Sequence, residues 1–383
     1  MDSPNSLGIV LVTGGCGRLG SKLVKALLSD SACSAVHAVS RTPTANLHAN
    51  AKYHAADLTN SEQLAAILEK IKPRVILHCA SPQYLAPDKE LWQTNVVGTR
   101  ALLKCAAECS SVEALIYTSS DSAIVPAAPG VLQTEETAKL YDKDSKINMY
   151  SKTKAIAETE VIAANNPPEL LTAVLHIPII YGGGDDKFIA ALLENLKKGQ
   201  QNVQIGEDKL KYEFLYDGKA VEAHILTAKA LLAEVHTKIG KKKVNGEAFF
   251  ISDGISMPFF DFARKVYALA GYPVTKNDIK VMPLAFMIPL ASALEWVYWA
   301  FTLGTKRPEL KRQDMEHFKE SVVWKIDKAK AVLGYEPVPD QDEILKMCVE
   351  SCMEYCGLKG HDNALGGSES MPQSQHFVVH HFG

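Results

Sequence analysis

Ile9-Val-Leu-Val12-Thr13-Gly14-Gly15-Cys16-Gly17-Arg18-Leu19-Gly20 is the stretch that decides the fold. Its opening apolar run, bounded by glycine, reads as a short strand buried on both faces. From residue 18 to 28 the spacing of apolar positions is helical. Between strand and helix, Gly15, Gly17 and Gly20 satisfy G-x-G-x-x-G, while Gly14, Gly17 and Gly20 satisfy the wider G-x-x-G-x-x-G. Residues without a Cβ permit a tight turn and let the backbone approach a pyrophosphate, which then caps the helix N-terminus. In isolation such a loop could merely join a strand to a helix. Its place in a strand–loop–helix unit makes it a dinucleotide cradle, with Arg18 and Leu19 at the first helical turn.

Outward from the loop, the short-strand signal repeats at residues 36–39, 53–56, 75–78 and 115–118, with helical stretches at 61–70 and 95–109. That alternation predicts an α/β fold, a doubly wound parallel sheet of the Rossmann type. A long helix is expected over 147–165, stopped by Pro167-Pro168, then a strand over 171–177 and a turn at Gly182-Gly-Gly184. Beyond it the pattern mixes helices near 188–198 and 221–233 with strands near 203–205 and 248–251. We therefore expect a dinucleotide-binding domain over 1–180 and a smaller, interleaved C-terminal substrate lobe with returning sheet elements over 181–356. Residues 357–383, rich in Gly, Ser, Gln and His, read as a flexible tail.

The chain of 383 residues is 47% hydrophobic and 22% charged, a composition that supports a substantial core. A net charge of -3 without runs of like charge argues against nucleic acid as a partner. Of the eight cysteines, Cys16 lies in the glycine loop, and Cys33, Cys79, Cys105 and Cys109 lie in or beside apolar segments. Cys348, Cys352 and Cys356 fall on one helical stripe with no His or carboxylate set resembling a zinc site. The expectation is no metal and reduced thiols, hence an intracellular protein. MDSPNSLG runs into the first strand without a signal-peptide pattern.

The chemistry is carried by Tyr150-Ser-Lys-Thr-Lys154, which puts a phenol and an ammonium on one helix face. A phenol with a reference pKa of about 10 is a poor acid or base at neutrality. A nearby lysine charge favours the phenolate and is expected to bring it toward the working range. Thr118-Ser119-Ser120 precedes the pair. NAD-binding versions of the glycine fold place Asp or Glu about 20 residues after the last glycine, to hold the ribose hydroxyls. Ser40-Arg41 stands there instead. Arg41 could pair with a 2′-phosphate, helped by Arg18, so NADP is the expected cofactor and NAD the alternative. Asp57-Leu58 is placed for the adenine side.

With these residues in view, the chain resembles the extended short-chain dehydrogenase/reductase family. The likeness is to its branch of 3β-hydroxysteroid dehydrogenases and sterol-4α-carboxylate 3-dehydrogenases (decarboxylating). It runs from about residue 8 to 355 and rests on motifs including Ala80-Ser81-Pro82, Asn95-Val-Val-Gly-Thr99, Tyr117-Thr-Ser-Ser120, Gly246-Glu-Ala-Phe-Phe-Ile-Ser-Asp-Gly254 and Leu333-Gly-Tyr-Glu-Pro337. The resemblance implies Tyr150 as general acid/base and Lys154 as the group that binds the nicotinamide ribose and lowers the tyrosine pKa. It implies Ser120 as hydrogen-bond partner of the reacting oxygen, Asn95 as holder of a water and of the lysine, and Ala80, Ser81 and Pro178 as cofactor contacts. Ser119 or Ser122 could take the serine role, and Asn95 could simply cap a helix.

The implied reaction interconverts a secondary alcohol and a ketone on a bulky apolar substrate. If a carboxylate sits beside the new ketone, the β-keto acid can lose CO2. The chain departs from the branch at Leu210-Lys-Tyr-Glu213-Phe-Leu215-Tyr216, at Lys219 and at His176-Ile177 before Pro178. Its substrate is accordingly expected to be sterol-like or a polycyclic secondary metabolite. Two alternatives are a sugar-nucleotide epimerase or dehydratase, and a nucleotide-sensing protein without turnover.

Residues 282–305 (MPLAFMIPLASALEWVYWAFTLGT) carry one charge, Glu295, and two prolines, with Trp296, Tyr298, Trp299 and Phe301 late and Lys306-Arg307 following. This reads either as an in-plane helix that sinks aromatics into a bilayer surface or as an apolar helix closing the substrate pocket. The related sterol enzymes imply the periphery of endoplasmic reticulum or lipid droplets; a cytoplasmic place is the alternative. A homodimer is compatible with the sequence.

Overall fold

The computed structural model describes residues 6–184, 186–236, 243–303, 308 and 310–358. Nearly all of the expected tail over 357–383, and the basic pair Lys306-Arg307, lie outside them. Seven parallel strands form the main sheet: β1 (Gly8–Thr13), β2 (Cys33–Ser40), β3 (Lys52–Ala55), β4 (Val75–His78), β5 (Ala114–Ser120), β6 (Leu171–Ile177) and a late strand, Glu247–Phe250, that returns to its edge. Between β6 and that late strand come three short ones, β7 (Ile179–Tyr181), β8 (Val203–Ile205) and β9 (Lys211–Tyr216), so the late strand is β10. The order β10-β6-β5-β4-β1-β2-β3 reverses direction between β1 and β4. At such a switch point the loops leaving neighbouring strands diverge and open a crevice beyond the strand ends.

Side-chain alternation along each strand builds the two core layers. Val10 and Val12 of β1, Val75 and Leu77 of β4, and Ala114 and Ile116 of β5 face one layer; Leu11, Ile76, Leu115 and Tyr117 face the other. The first layer is covered by α1 (Arg18–Leu28) through Leu23, Val24 and Leu27. The second is covered by α2 (Ser61–Ile71) and, further on, by helices bearing Leu102, Leu103 and Val161. Each fully buried aliphatic side chain contributes about 1.5–3 kcal/mol. Because both faces are covered, β5 and β6 are buried at every position.

The helix expected over 95–109 is instead the end of a π-helical stretch, Trp92–Gly98, entered from α3 (Asp88–Leu91), followed by α4 (Thr99–Glu108). The widened turn holds Asn95 in its interior. Such bulges concentrate at functional sites. Next comes α5 (Met149–Ala163), N-capped by Asn148, whose side chain accepts from Ser151 N at 2.9 Å.

The remaining helices are α6 (Lys187–Lys197), α7 (Asp217–His236), α8 (Phe259–Leu269), α9 (Leu284–Thr302), α10 (Arg312–Glu316), α11 (Asp327–Leu333) and α12 (Gln341–Tyr355). Strands β11 (Ser256–Pro258) and β9 run antiparallel, β7 lies beside β9, and β12 (Lys280–Met282) pairs with β8. An aromatic core of Tyr181, Phe188, Phe214 and Phe262 fills this part, with Phe214 and Phe262 stacked at 4.0 Å. From beyond residue 181, α7 and α11 pack into the first core layer through Val221, Leu231, Ala329 and Leu333, beside β10.

Helix α9 is anchored at its N-terminal half, where Met287 and Ala291 pack with Ile205, Leu310 and Met315. Its C-terminal half is bare: Trp296 is 69% exposed, Trp299 60% and Phe301 85%.

Candidate active site

The crevice at the switch point is a cleft of about 550 Å3. Its walls follow from the strand ends. The loop after β1 contributes Gly14, Gly17, Arg18, Leu19 and Gly20; the ends of β2 and β3 contribute Ser40, Arg41, Asp57 and Leu58. The turn after β4 adds Ala80 and Ser81, β5 adds Ser120, α5 adds Tyr150 and Lys154, and Pro178 follows β6. Every cofactor-side and catalytic residue expected from the sequence lies on this wall except Asn95.

Gly14 adopts φ +69°, and a Cβ there would stand 2.8 Å from the Cα of Ala80. A Cβ at Gly20 would collide with the Gly14 carbonyl. Gly17 is the N-cap of α1 and supplies no capping side chain, so first-turn N–H groups face the cleft. This cradle fits a pyrophosphate. Arg18 sits at the same turn, but its guanidinium turns across the cleft to Asp186 and to the Ile180 carbonyl at 2.7 Å, tying the loop to β7 and α6. It is thereby committed away from Arg41. Burial pushes the Asp186 carboxyl up to about 6, against the pull of Arg18.

At the far end, Arg41 is exposed and pairs with Glu90 at 2.9 Å. Asp57 accepts from Thr59 N (2.9 Å) and Thr59 Oγ1 (2.8 Å), which with Arg41 hold it below the usual carboxylate range.

At the inner end, the phenol of Tyr150 shares the cleft wall with Ser120 and Ser81, and Tyr84 lies edge-on to its ring at 5.2 Å. Lys154 is buried, donates Nζ to the Thr118 carbonyl at 2.8 Å, and stands 4.9 Å over the Tyr117 ring. Burial drives its ammonium down to about 8, moderated by Cys79 and Glu158. Asn95 lies behind the pair: its Nδ2 donates to Thr153 Oγ1 (3.0 Å), which donates to the Tyr150 carbonyl (3.0 Å). The buried Oδ1 of Asn95 has no hydrogen-bond partner among the described residues and is open to a water or a cation.

Burial, and then the charge of Asp121, push the Tyr150 phenol above its ordinary value. Lys154 Nζ gives its hydrogen bond to the Thr118 carbonyl.

The structure also separates the three serines. Ser119 points to the opposite side of β5 and donates to Glu158 at 2.6 Å; Ser122 donates to Ser120 at 3.0 Å. Ser120 alone of the three meets Tyr150. Residues that the sequence reading missed are Tyr84, Asp121, Glu158 and His176. Adjacency to Ser120 was the available signal for Asp121, and the four-residue step from Lys154 the signal for Glu158. No residue of the helix over 284–302 is on the wall of this cleft. Among the described residues, no group of three or more His, Cys, Asp or Glu side chains is placed to hold a metal.

Comparison with known proteins agrees with this geometry. The family model described as the 3-beta hydroxysteroid dehydrogenase/isomerase family matches residues 11–283. The decarboxylating sterol-4-alpha-carboxylate 3-dehydrogenase of Gibberella zeae is 42% identical over 306 residues, 79% of this chain and 99% of that one. Its counterpart in Schizosaccharomyces pombe is 32% identical over 297 residues, 78% of this chain and 83% of the other. Among solved structures, the UDP-glucose 4-epimerase of Thermotoga maritima superposes with a TM-score of 0.66 at 21% identity, covering 91% and 99% of the two chains. The dTDP-glucose 4,6-dehydratase DesIV of Streptomyces venezuelae, solved with NAD, gives 0.69 at 19% identity over 91% and 98%. These two establish the fold alone. The chain belongs to the 3-beta hydroxysteroid dehydrogenase/isomerase family and is a nicotinamide-dependent oxidoreductase.

Proposed function

We propose that this enzyme interconverts a secondary alcohol and a ketone on a bulky apolar substrate, sterol-like or polycyclic. The observation that carries the reading is the meeting of Tyr150, Ser120 and Lys154 at the inner end of a cleft whose outer end is the glycine cradle. A nicotinamide held by the glycine cradle and Lys154 would supply or take the hydride. The protein's own groups handle the proton and the orientation. Tyr150 gives its phenol proton to the carbonyl oxygen in reduction and, as the phenolate, receives the alcohol proton in oxidation. Ser120 orients the reacting oxygen, and Lys154 holds the cofactor ribose by hydrogen bond. Asn95, whose buried Oδ1 has no partner among the described residues, would steady the lysine side through a water.

Where the substrate carries a carboxylate on the carbon beside the new ketone, the β-keto acid loses CO2. The relatives named as decarboxylating favour that outcome for this chain.

For the cofactor we propose a preference for NADP(H). Ser40 and Arg41 stand where an acidic residue would repel a 2′-phosphate. Arg18 takes no part, being held by Asp186.

We further propose that the exposed aromatics of α9 enter the surface of an intracellular membrane. This helix is long and apolar enough to cross a bilayer by length and composition. Its N-terminal half, however, is packed on the protein, which favours a shallow, peripheral contact.

A panel of sterol and polycyclic alcohols and ketones, followed by the absorbance of the reduced nicotinamide, tests the reading. Turnover of 3-hydroxy or 3-keto sterols supports it. Turnover of UDP-sugars with none of the sterols would replace it with the epimerase reading.

A further inference from the structure

Two cations leave the start of α1 one turn apart, and each ends on a buried carboxylate from beyond residue 181. Arg18, the first residue of the helix, reaches Asp186, the N-cap of α6, and the Ile180 carbonyl of β7 at 2.7 Å. Lys22 reaches Asp217, the first residue of α7, at 2.5 Å. Arg18 is nevertheless incompletely paired where it lies. Both of its bonds leave from Nη2, while its buried Nε has no hydrogen-bond partner among the described residues. It lines the cleft beside Gly14, Gly17 and Gly20, where the first-turn N–H groups of α1 fit a pyrophosphate.

We propose that Asp186 sets the strength of cofactor binding by holding Arg18 off the phosphates of the dinucleotide. The inference rests on the reading of the cleft as a dinucleotide site. A guanidinium beside a glycine cradle is well shaped to grip a phosphate ester, because its planar fork donates two parallel hydrogen bonds. Here a second anion competes for it, and burial decides the competition. The Asp186 side chain is wholly shielded from solvent. Were Arg18 to leave, that carboxylate would stand uncompensated inside the protein. Its loss would outweigh the gain from one charged hydrogen bond at the open cleft. Asp186 is not itself on the cleft wall. It is a positioning residue, acting on the cofactor through Arg18.

Such restraint suits an enzyme that exchanges its nicotinamide at every turnover. Affinity changes at one site fall mostly on the dissociation rate, and release of the spent cofactor limits many enzymes. An Arg18 free to grip the phosphates would hold the cofactor longer.

The test is a fluorescence titration with NADH and with NADPH of wild type, Asp186→Asn and the double variant Arg18→Met/Asp186→Asn. Asparagine removes the charge but keeps the cap on α6, where Asp186 Oδ1 accepts from Ile189 N at 2.7 Å. The Lys22–Asp217 pair still joins α1 to α7. Asp186→Asn should bind cofactor about 10-fold more tightly, the return of one charged hydrogen bond, and release it about 10-fold more slowly in stopped-flow displacement. Asp186→Ser, a second uncharged capping replacement, should show the same gain. The double variant should lose it. A tighter complex is a result that damage to the fold would not produce.

An equal gain for NADH and NADPH puts the released Arg18 on the pyrophosphate; a gain for NADPH alone puts it on the 2′-phosphate. Binding by Asp186→Asn no tighter than wild type would overturn the proposal. So would a gain that survives Arg18→Met, since the lost negative charge would then act without the guanidinium. Wild type that binds neither nucleotide would overturn the dinucleotide reading of the cleft, and this proposal with it.

Discussion

Glu158 and His176 form an ion pair at 2.8 Å with both side chains almost wholly buried, directly behind the strand end that carries Ser119 and Ser120. Glu158 takes a second bond from Ser119 at 2.6 Å, and His176 Nδ1 meets the Ser120 carbonyl at 3.3 Å. Burial alone would push the imidazole down, but the charge and hydrogen bond of Glu158 outweigh it, and its pKa is raised. The pair thus props the backbone of the candidate catalytic serine from the far side of the sheet.

Removing one partner of a buried pair leaves the other charge uncompensated. Glu158→Gln should therefore cost about 3–5 kcal/mol in urea unfolding at neutral pH. A histidine raised on folding contributes its full stabilisation below the unfolded value of about 6.5 and loses it as pH rises through the folded value. Wild type should accordingly lose stability on the alkaline side of neutrality, and the variant should lack that slope. Equal unfolding midpoints across pH would count against the pair.

The glycine cradle makes a sharper prediction. At Gly14 an alanine meets both a left-handed backbone angle and the Ala80 backbone at 2.8 Å. The backbone strain alone is about 1–2 kcal/mol, so Gly14→Ala should weaken cofactor binding about 10-fold in a fluorescence titration. Unchanged affinity would mean that the loop does not approach the pyrophosphate.

Most of the sheet was legible because strands buried on both faces are written as unbroken apolar runs. The signals at 75–78 and 115–118 sit inside β4 and β5. The π-helical turn at Trp92–Gly98 was not legible, since one extra residue in a turn leaves the apolar pattern of 95–109 intact. In the site, spacing on one helix gave Tyr150 and Lys154, and the glycines gave the cradle. What spacing cannot give is direction. Arg18 lies in the right loop and points to Asp186; Lys154 lies beside Tyr150 and bonds to Thr118. Both choices are made by partners distant in sequence.

The proposed preference for NADP(H) rests on Arg41, which pairs with Glu90. A charged hydrogen bond to a 2′-phosphate is worth about 1.5–3 kcal/mol, so Arg41→Ala should raise KM for NADP(H) about 10-fold or more and leave NAD(H) nearly unchanged. Glu90→Gln should move NADP(H) in the opposite direction. Steady-state kinetics with both cofactors check it; equal effects on the two would exclude a phosphate contact.

The exposed end of α9 can be tested by fractionation. Replacing Trp296, Trp299 and Phe301 together by Ser removes the apolar area that a bilayer would cover. The triple variant should shift from the membrane pellet to the supernatant while keeping cofactor affinity. Recovery of wild-type protein wholly in the supernatant without detergent would remove the membrane contact.

The most direct measurement is kcat of Tyr150→Phe with a 3-hydroxysterol, taken beside its cofactor affinity. Loss of the phenol oxygen should leave cofactor binding within about twofold and lower kcat about a thousandfold, as expected when a group acts on the proton in the transition state. Turnover close to wild type would contradict the account, because the scheme gives that proton transfer to the Tyr150 phenol.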